Sequence, residues 1–269
     1  MELTNENYFS VESNREYMGA TQFKQFLLCE KDALAKVNGE IVEEPSKAML
    51  VGSYVDAYFS GELEEFKEKN PQIFKKDGTL LKDFEKANDV INAIENDEML
   101  LEYLGGKHQV IMTGEIAGVK FKIKIDSLLE DAIVDQKIMS SIYNLEWQQS
   151  EDGRWYKSDF VETFGYDIQG AIYQEIVRQN LGKKLPFILA VTTKEDVPDK
   201  ALIQIDQYYL DKALDLVKQL APHFDLIKQG AIEPKGCGHC TTCRKENKVT
   251  RVISYQELFN KVIDDGTND

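Results

Sequence analysis

Residues 119–139 read VKFKIKIDSLLEDAIVDQKIM. Val119, Phe121, Ile123 and Ile125 alternate with Lys120, Lys122, Lys124 and Asp126. A period of two is that of a β-strand, whose side chains point to opposite faces in turn, so the lysines and Asp126 share the polar face. Glu130 and Asp131 interrupt the pattern, and residues 132–139 resume it with Asp135, Gln136 and Lys137. Strand, short turn and strand predict an antiparallel pair that brings Asp126, Asp135 and the Lys137 ammonium together. Two carboxylates a few ångströms apart repel unless a cation lies between them, and hard divalent ions such as Mg²⁺ favour oxygen ligands in that setting. A lysine beside such an ion orients a water or offsets charge growing on a phosphate. For the lysine alternation by itself, the plain alternative is a solvated face of an edge strand.

Working outward, residues 108–118 are a third short run rich in Val and Ile, and the three runs predict an antiparallel meander. Upstream, the spacing of Phe23, Phe26, Leu27, Leu34 and Val37 predicts one helix over 21–37, stopped by Asn38-Gly39. Further helices are expected over 46–61 and 83–104, with a loop holding short helical pieces over 66–81. Downstream, a long helix is expected over 164–180, a strand pair over 186–195 and 201–210, a helix over 211–230, and an amphipathic segment over 253–265. Helices, then a meander, then helix and strands indicate one α/β (α+β) domain with helical additions. The expected division is a polar leader over 1–18 and a single domain over 19–269. Within that domain, 19–107 is mainly helical, 108–206 carries the meander, helix and strands, and 207–269 holds the last helix and the cysteines.

The 269 residues hold 32 Lys and Arg against 47 Asp and Glu, a net charge of −15. A chain this acidic does not coat nucleic acid or anionic lipid with its whole surface, so contact with a polyanion requires a local basic strip or bound metal. No apolar run approaches the ~18 residues of a membrane span. The polar leader has no signal-peptide core. The expectation is a soluble, intracellular, cytoplasmic protein.

Three of the four cysteines, Cys237, Cys240 and Cys243, form C-x2-C-x2-C in a Gly-containing stretch, and Cys29 lies over two hundred residues earlier. Three closely spaced thiols signal a metal site, and four soft sulfur ligands suit zinc or a [4Fe–4S] cluster. Cys29 is either the fourth ligand or a buried helix cysteine, with His239 as another candidate ligand.

Asp126 followed by Asp135-Gln136-Lys137 resembles the core pattern of the PD-(D/E)xK nucleases, in which an Asp precedes (D/E)-x-K by roughly ten residues. Downstream, Gln169 and Tyr173 form a Q-x-x-x-Y on one helix face, similar to the motif that follows the active site in RecB-type nucleases and contacts DNA. Upstream, Gly52 and Asp56-Ala57 resemble the family's G-x-x-x-H-A helix, with Asp where the family carries a metal-binding His. Glu115 is a further candidate acid, or a surface Glu near a turn. The resemblance spans nearly the whole chain and is nearest to the RecE-like, phage-type (exodeoxyribonuclease VIII-like) branch.

That resemblance implies a restriction-endonuclease-like mixed sheet flanked by helices, and metal-dependent hydrolysis of DNA phosphodiesters. It implies Mg²⁺ or Mn²⁺ held by Asp56, Asp126, Asp135 and the Gln136 carbonyl, with Lys137 positioning the attacking water. Gln169 and Tyr173 would orient the strand being cut. Lys120, Lys122 and Lys124 would form a positive strip for the backbone, which Lys183 and Lys184 could extend or else cap the preceding helix. It further implies an iron–sulfur staple on Cys29, Cys237, Cys240 and Cys243, with zinc as the alternative. Expected partners are duplex DNA ends and a single-strand annealing protein. Some relatives form rings, so a homo-oligomer is compatible with it, and a prophage origin would suit the branch. The rival function is a catalytically silent DNA-binding accessory module on the same scaffold.

Overall fold

The computed structural model describes residues 1–42, 44–150 and 153–258. Ahead of the sheet the chain is helical. α1 (Val11–Glu16) starts at Ser10, whose side chain accepts the Ser13 amide. The apolar face expected over 21–37 forms, but as two helices, α2 (Ala20–Leu28) and α3 (Glu30–Val37). Cys29 between them is extended, with φ −165° and ψ 112°, so a single residue ends one helix and starts the next. Helical periodicity runs across the joint without a Gly or Pro, which is why spacing alone predicts one helix. α4 (Lys47–Phe59), capped by Ser46, and α5 (Leu63–Lys69) follow. The helix expected over 83–104 is likewise two, α6 (Lys82–Glu95) and α7 (Glu98–Leu104). The break comes at Asn96-Asp97, where the Asp97 carboxylate accepts the Leu100 amide and caps α7, a stronger use of Asp than a helix interior.

β1 (Lys107–Ile116) and β2 (Val119–Leu128) make a long antiparallel hairpin. Its two-residue turn, Ala117-Gly118, has φ of 50° and 81°, the left-handed pair whose twist matches that of the strands. β3 (Ile133–Met139) pairs antiparallel with β2 only at Ser127↔Val134 and Leu128↔Ile133, after which the two strands part. A short hairpin of β4 (Glu146–Gln149) and β5 (Trp155–Ser158) stands apart from the main sheet and had no counterpart among the expected elements. Then come α8 (Phe160–Phe164), α9 (Tyr166–Leu181), and an antiparallel pair, β6 (Phe187–Thr193) and β7 (Lys200–Gln204). β6 lies parallel to β3, so the five-stranded sheet is mixed, in the order β1-β2-β3-β6-β7. α10 (Gln207–Lys228), α11 (Thr241–Glu246) and α12 (Tyr255–Leu258) complete the described fold. Of the expected amphipathic segment, residues 259–265 lie outside the described residues.

Apolar layers cover both faces of the central strands. Ile133, Phe187, Leu189 and Val191 face a core shared with α2, α9 and α10, whereas Val134, Ile188 and Ala190 face one shared with α4, α6 and α7. Burial on both faces is the usual state of a parallel pair, and it explains why β6 reads as a continuous apolar run.

The leader packs on this body. Met18 is fully buried and bridges to Phe121, exchanging backbone hydrogen bonds with Lys120 and Lys122. This changes the lysine face of β2. Lys122 is not on a solvent-facing strip: it is 3% exposed, and its ammonium donates to the Tyr8 carbonyl, to Ser13 Oγ at 2.8 Å and to Asn14 Oδ1 at 2.7 Å. Strand alternation placed it on the polar face correctly, but the leader then covered that face.

Candidate active site

Where β2 and β3 part, a side chain takes over from the ladder. Asp126 Oδ2 accepts the backbone N–H of Gln136 at 2.9 Å, so the first acid lies in the fork between the strands. Asp135 on the next strand is 2% exposed. Its Oδ1 accepts from Gln169 Nε2 at 2.7 Å, and its Oδ2 forms an ion pair with the Lys137 ammonium. Asp56 approaches from α4, held by Gln109 Nε2, which donates to its two carboxylate oxygens at 3.3 and 3.2 Å. A Cβ at Gly52, one helical turn before Asp56, would meet nothing within 4 Å, so that flank of the acid is open.

The charges are strongly coupled. Burial first, then the neighbouring Asp135 and Asp56 carboxylates, pushes Asp126 well above the usual carboxylate range, with Lys137 opposing. Burial also raises Asp56, Lys124 opposes, and Asp135 and Glu62 add to the rise. Lys137 goes the other way: burial favours its neutral form, but Asp135 and Asp126 outweigh it and hold the ammonium above the ordinary lysine value. Lys137 is therefore a fixed cation at neutral pH. Its charge also faces the Tyr166 ring, 5.1 Å from the ring centre.

α9 serves this fork. Gln169 and Tyr173, four residues apart, both point to the catalytic strands. Gln169 grips Asp135 directly, while the Tyr173 hydroxyl donates to the Lys124 carbonyl at 2.9 Å. Tyr173 is buried, and burial pushes its hydroxyl well above the usual tyrosine range, so it stays a donor. Both side chains thus brace protein groups of the fork.

Other expected site residues are dispersed. Glu115 is exposed and sits opposite Lys120 near the hairpin turn. Six residues of strand separate Lys120 from Asp126, about 20 Å at the rise of an antiparallel strand, so Glu115 is not part of the acidic cluster. Lys120 is exposed and paired with Glu16 at 3.1 Å. Lys124 lies near the acids, its ammonium 5.8 Å from the Phe9 ring centre. Lys183 is exposed, and Lys184 pairs with Asp211 of α10 at 2.9 Å, so Lys184 ties the segment after α9 to α10. Two residues that sequence reasoning missed are Gln109, which reads as an ordinary strand position, and Lys24. Lys24 donates to the Phe164 carbonyl at 2.9 Å and is close enough to Lys137 and Asp135 to feel their charges.

The four cysteines converge although 208 residues separate Cys29 from Cys237. Their sulfur atoms all lie within 4.8 Å of one another, with Cys29 Sγ 3.6 Å from Cys243 Sγ and 3.7 Å from Cys240 Sγ. The extended conformation of Cys29 makes this meeting possible, because it turns the thiol out of the helix line towards α11. Backbone amides of His239 and Cys240 donate to Cys237 Sγ and pull that thiol down to about 6. His239 contributes its amide there, and the compact set consists of the four sulfurs.

The residues of the fork suit a divalent cation. Asp56, Asp126 and Asp135 gather in one buried acidic set, in which Asp135 and Asp56 raise Asp126 and Asp135 raises Asp56. Clustered carboxylate oxygens in a buried site are what a hard ion satisfies.

Mixed sheet, flanking helices and acids in the strand fork with (D/E)-x-K define a PD-(D/E)xK nuclease fold. The chain belongs to the family described as "PDDEXK-like domain of unknown function (DUF3799)", whose pattern matches residues 19–246. It is similar to a crystal structure described as "Putative exonuclease" from Eubacterium rectale, with 45% sequence identity and a TM-score of 0.91, covering 97% of this chain and 100% of that one. No curated protein matches this chain. No described helix is long and apolar enough to cross a membrane.

Proposed function

We propose that this protein is a Mg²⁺- or Mn²⁺-dependent exodeoxyribonuclease that hydrolyses phosphodiesters at duplex ends, resecting them for phage-type recombination beside a single-strand annealing partner. The observation that carries this is the fork itself: Asp56, Asp126 and Asp135 gathered in one buried set beside the Lys137 ammonium. Asp56, Asp126, Asp135 and the Gln136 carbonyl would hold the ion, which when bound lowers the pKa of water and stabilises a leaving oxygen. Lys137, held in its charged form by Asp135 and Asp126, offsets charge on the phosphate and positions the nucleophile. Gln169 fixes the rotamer of Asp135, and Tyr173 fixes the β2 backbone beside Asp126. Excluding bulk water, this buried setting strengthens each of these interactions.

For the four thiols we propose a single tetrahedral ion, zinc, in preference to a four-iron cluster. Thiolates ~2.3 Å from one tetrahedral ion stand about 3.8 Å apart, close to the separations of 3.6 and 3.7 Å here. A cubane cluster gives each thiolate its own iron and needs wider spacing.

The test of the activity is hydrolysis of an end-labelled duplex with Mg²⁺ or Mn²⁺, comparing wild type with Asp135→Asn and Asp126→Asn. Loss in both variants with the fold retained supports the nuclease. Wild type no more active than the variants would leave a silent DNA-binding accessory module.

A further inference from the structure

The β4–β5 hairpin carries the chain's two tryptophans, and both are mostly exposed among the described residues. Trp147 pairs with Lys157, and Trp155 lies two residues before Lys157 on the same strand, so all three side chains share one face. Trp147 is 60% and Trp155 is 64% exposed, and the Lys157 ammonium lies 5.4 Å from the Trp147 ring centre. Each of the two exposed indoles leaves a large apolar surface in water. Tyr156, on the opposite face, anchors the hairpin to α8 by donating to Glu162 at 2.8 Å. From α8 the contacts run through Phe164 and Tyr166 to Lys137, so the hairpin is braced against the flank of the fork.

Resting on the nuclease reading, we infer that this hairpin face is a stacking platform for the unpaired strand of the DNA substrate, Trp147 and Trp155 each taking a base and Lys157 a phosphate. Base stacking does not depend on net charge, and this chain needs such a grip. It carries −15 overall, Lys122 is buried under the leader, and Lys120 is neutralised by Glu16. Aromatic rings interleaved with a cation are the usual chemistry for holding single strands without regard to sequence. A docked protein would use the same apolar area, but the cation over the indole favours an anionic, aromatic ligand.

The test uses the full-length protein and a short oligodeoxythymidylate in buffer lacking Mg²⁺ and Mn²⁺. Both indoles are on the hairpin, so intrinsic tryptophan emission reports this face alone, and saturable quenching is expected. Anisotropy of a labelled oligonucleotide should show Trp147→Ala/Trp155→Ala binding at least about tenfold more weakly, with Trp147→Phe/Trp155→Phe keeping most of the affinity. Absence of binding, a saturated complex with unchanged emission, or a double Ala variant within about twofold of wild type would overturn the inference. Hydrolysis of duplex is scored separately. A wild type that binds with quenching but does not hydrolyse sinks the nuclease reading alone, whereas one that hydrolyses without quenching sinks the platform alone.

Discussion

Gln109 holds Asp56 from a left-handed backbone, with φ of 52° near the start of strand β1. The neighbouring positions His108 and Val110 pair regularly with Ser127 and Ile125, so the departure is confined to one residue, and it turns the amide towards the acid on α4. The His108 ring completes the join through its Nδ1, 3.2 Å from the Asp126 carbonyl. A non-glycine residue in this region costs about 1–3 kcal/mol, and such strain gathers at functional sites.

Two substitutions separate strain from function. Gln109→Gly should relieve the backbone and melt about 1 kcal/mol more stable than Gln109→Ala. Both should bind Mn²⁺ at least about tenfold more weakly than wild type in calorimetric titration, because both lose the amide that orients Asp56. Equal melting of the two variants would remove the strain argument.

Asp56 occupies the place where an imidazole would be expected. Asp56→Ala should abolish most hydrolysis. Asp56→His should restore it better with Mn²⁺ than with Mg²⁺, since imidazole suits the softer ion. The readout is the ratio of initial rates on end-labelled duplex in the two metals. A ratio unchanged from wild type would place Asp56 outside the ligand set.

Lys122 gives a pH dependence with a definite sign. Burial, assisted by Lys228, draws it from the ordinary 10.5 to about 8. Between those values the unfolded chain binds a proton that the folded chain has released, so stability rises as pH increases from about 8 to 10.5, and the gain is lost as pH falls through about 8. Lys24 and Lys228 are drawn to about 8 chiefly by burial and add to the same slope. Lys122→Met should flatten part of it, read as a smaller rise in the urea midpoint across that window than in wild type. Parallel curves would show that another group carries the effect.

The cysteine site makes a stoichiometric prediction. Metal analysis of wild type should give one zinc per chain and no visible absorption. Cys243→Ser should lose the ion and lower the melting temperature by several degrees in scanning calorimetry, because the ion no longer joins α11 to Cys29 at the head of α3. Four irons per chain would establish a cluster instead.

The fork was legible because strand alternation and (D/E)-x-K depend on spacing within one short stretch: Asp126, Asp135 and Lys137 meet as residues 119–139 suggest. Gln169 was legible for the same reason, being one turn from Tyr173 on a helix. What stayed hidden depends on distant packing. Nothing in FKIKID distinguishes a solvated Lys122 from one that residues 8–14 will cover, and nothing in FLLCEKDAL marks Cys29 as a break. Gln109 carries no trace of its positive φ, because the residue type is indifferent and only the fork demands the geometry. Glu115 erred in the opposite way: it is near Asp126 in number but at the far end of the same strand pair.

Cys29 and Cys243 meet across 214 residues of chain. A ribosome must therefore have translated every acid of the fork, and α9 that braces it, before the last sulfur exists.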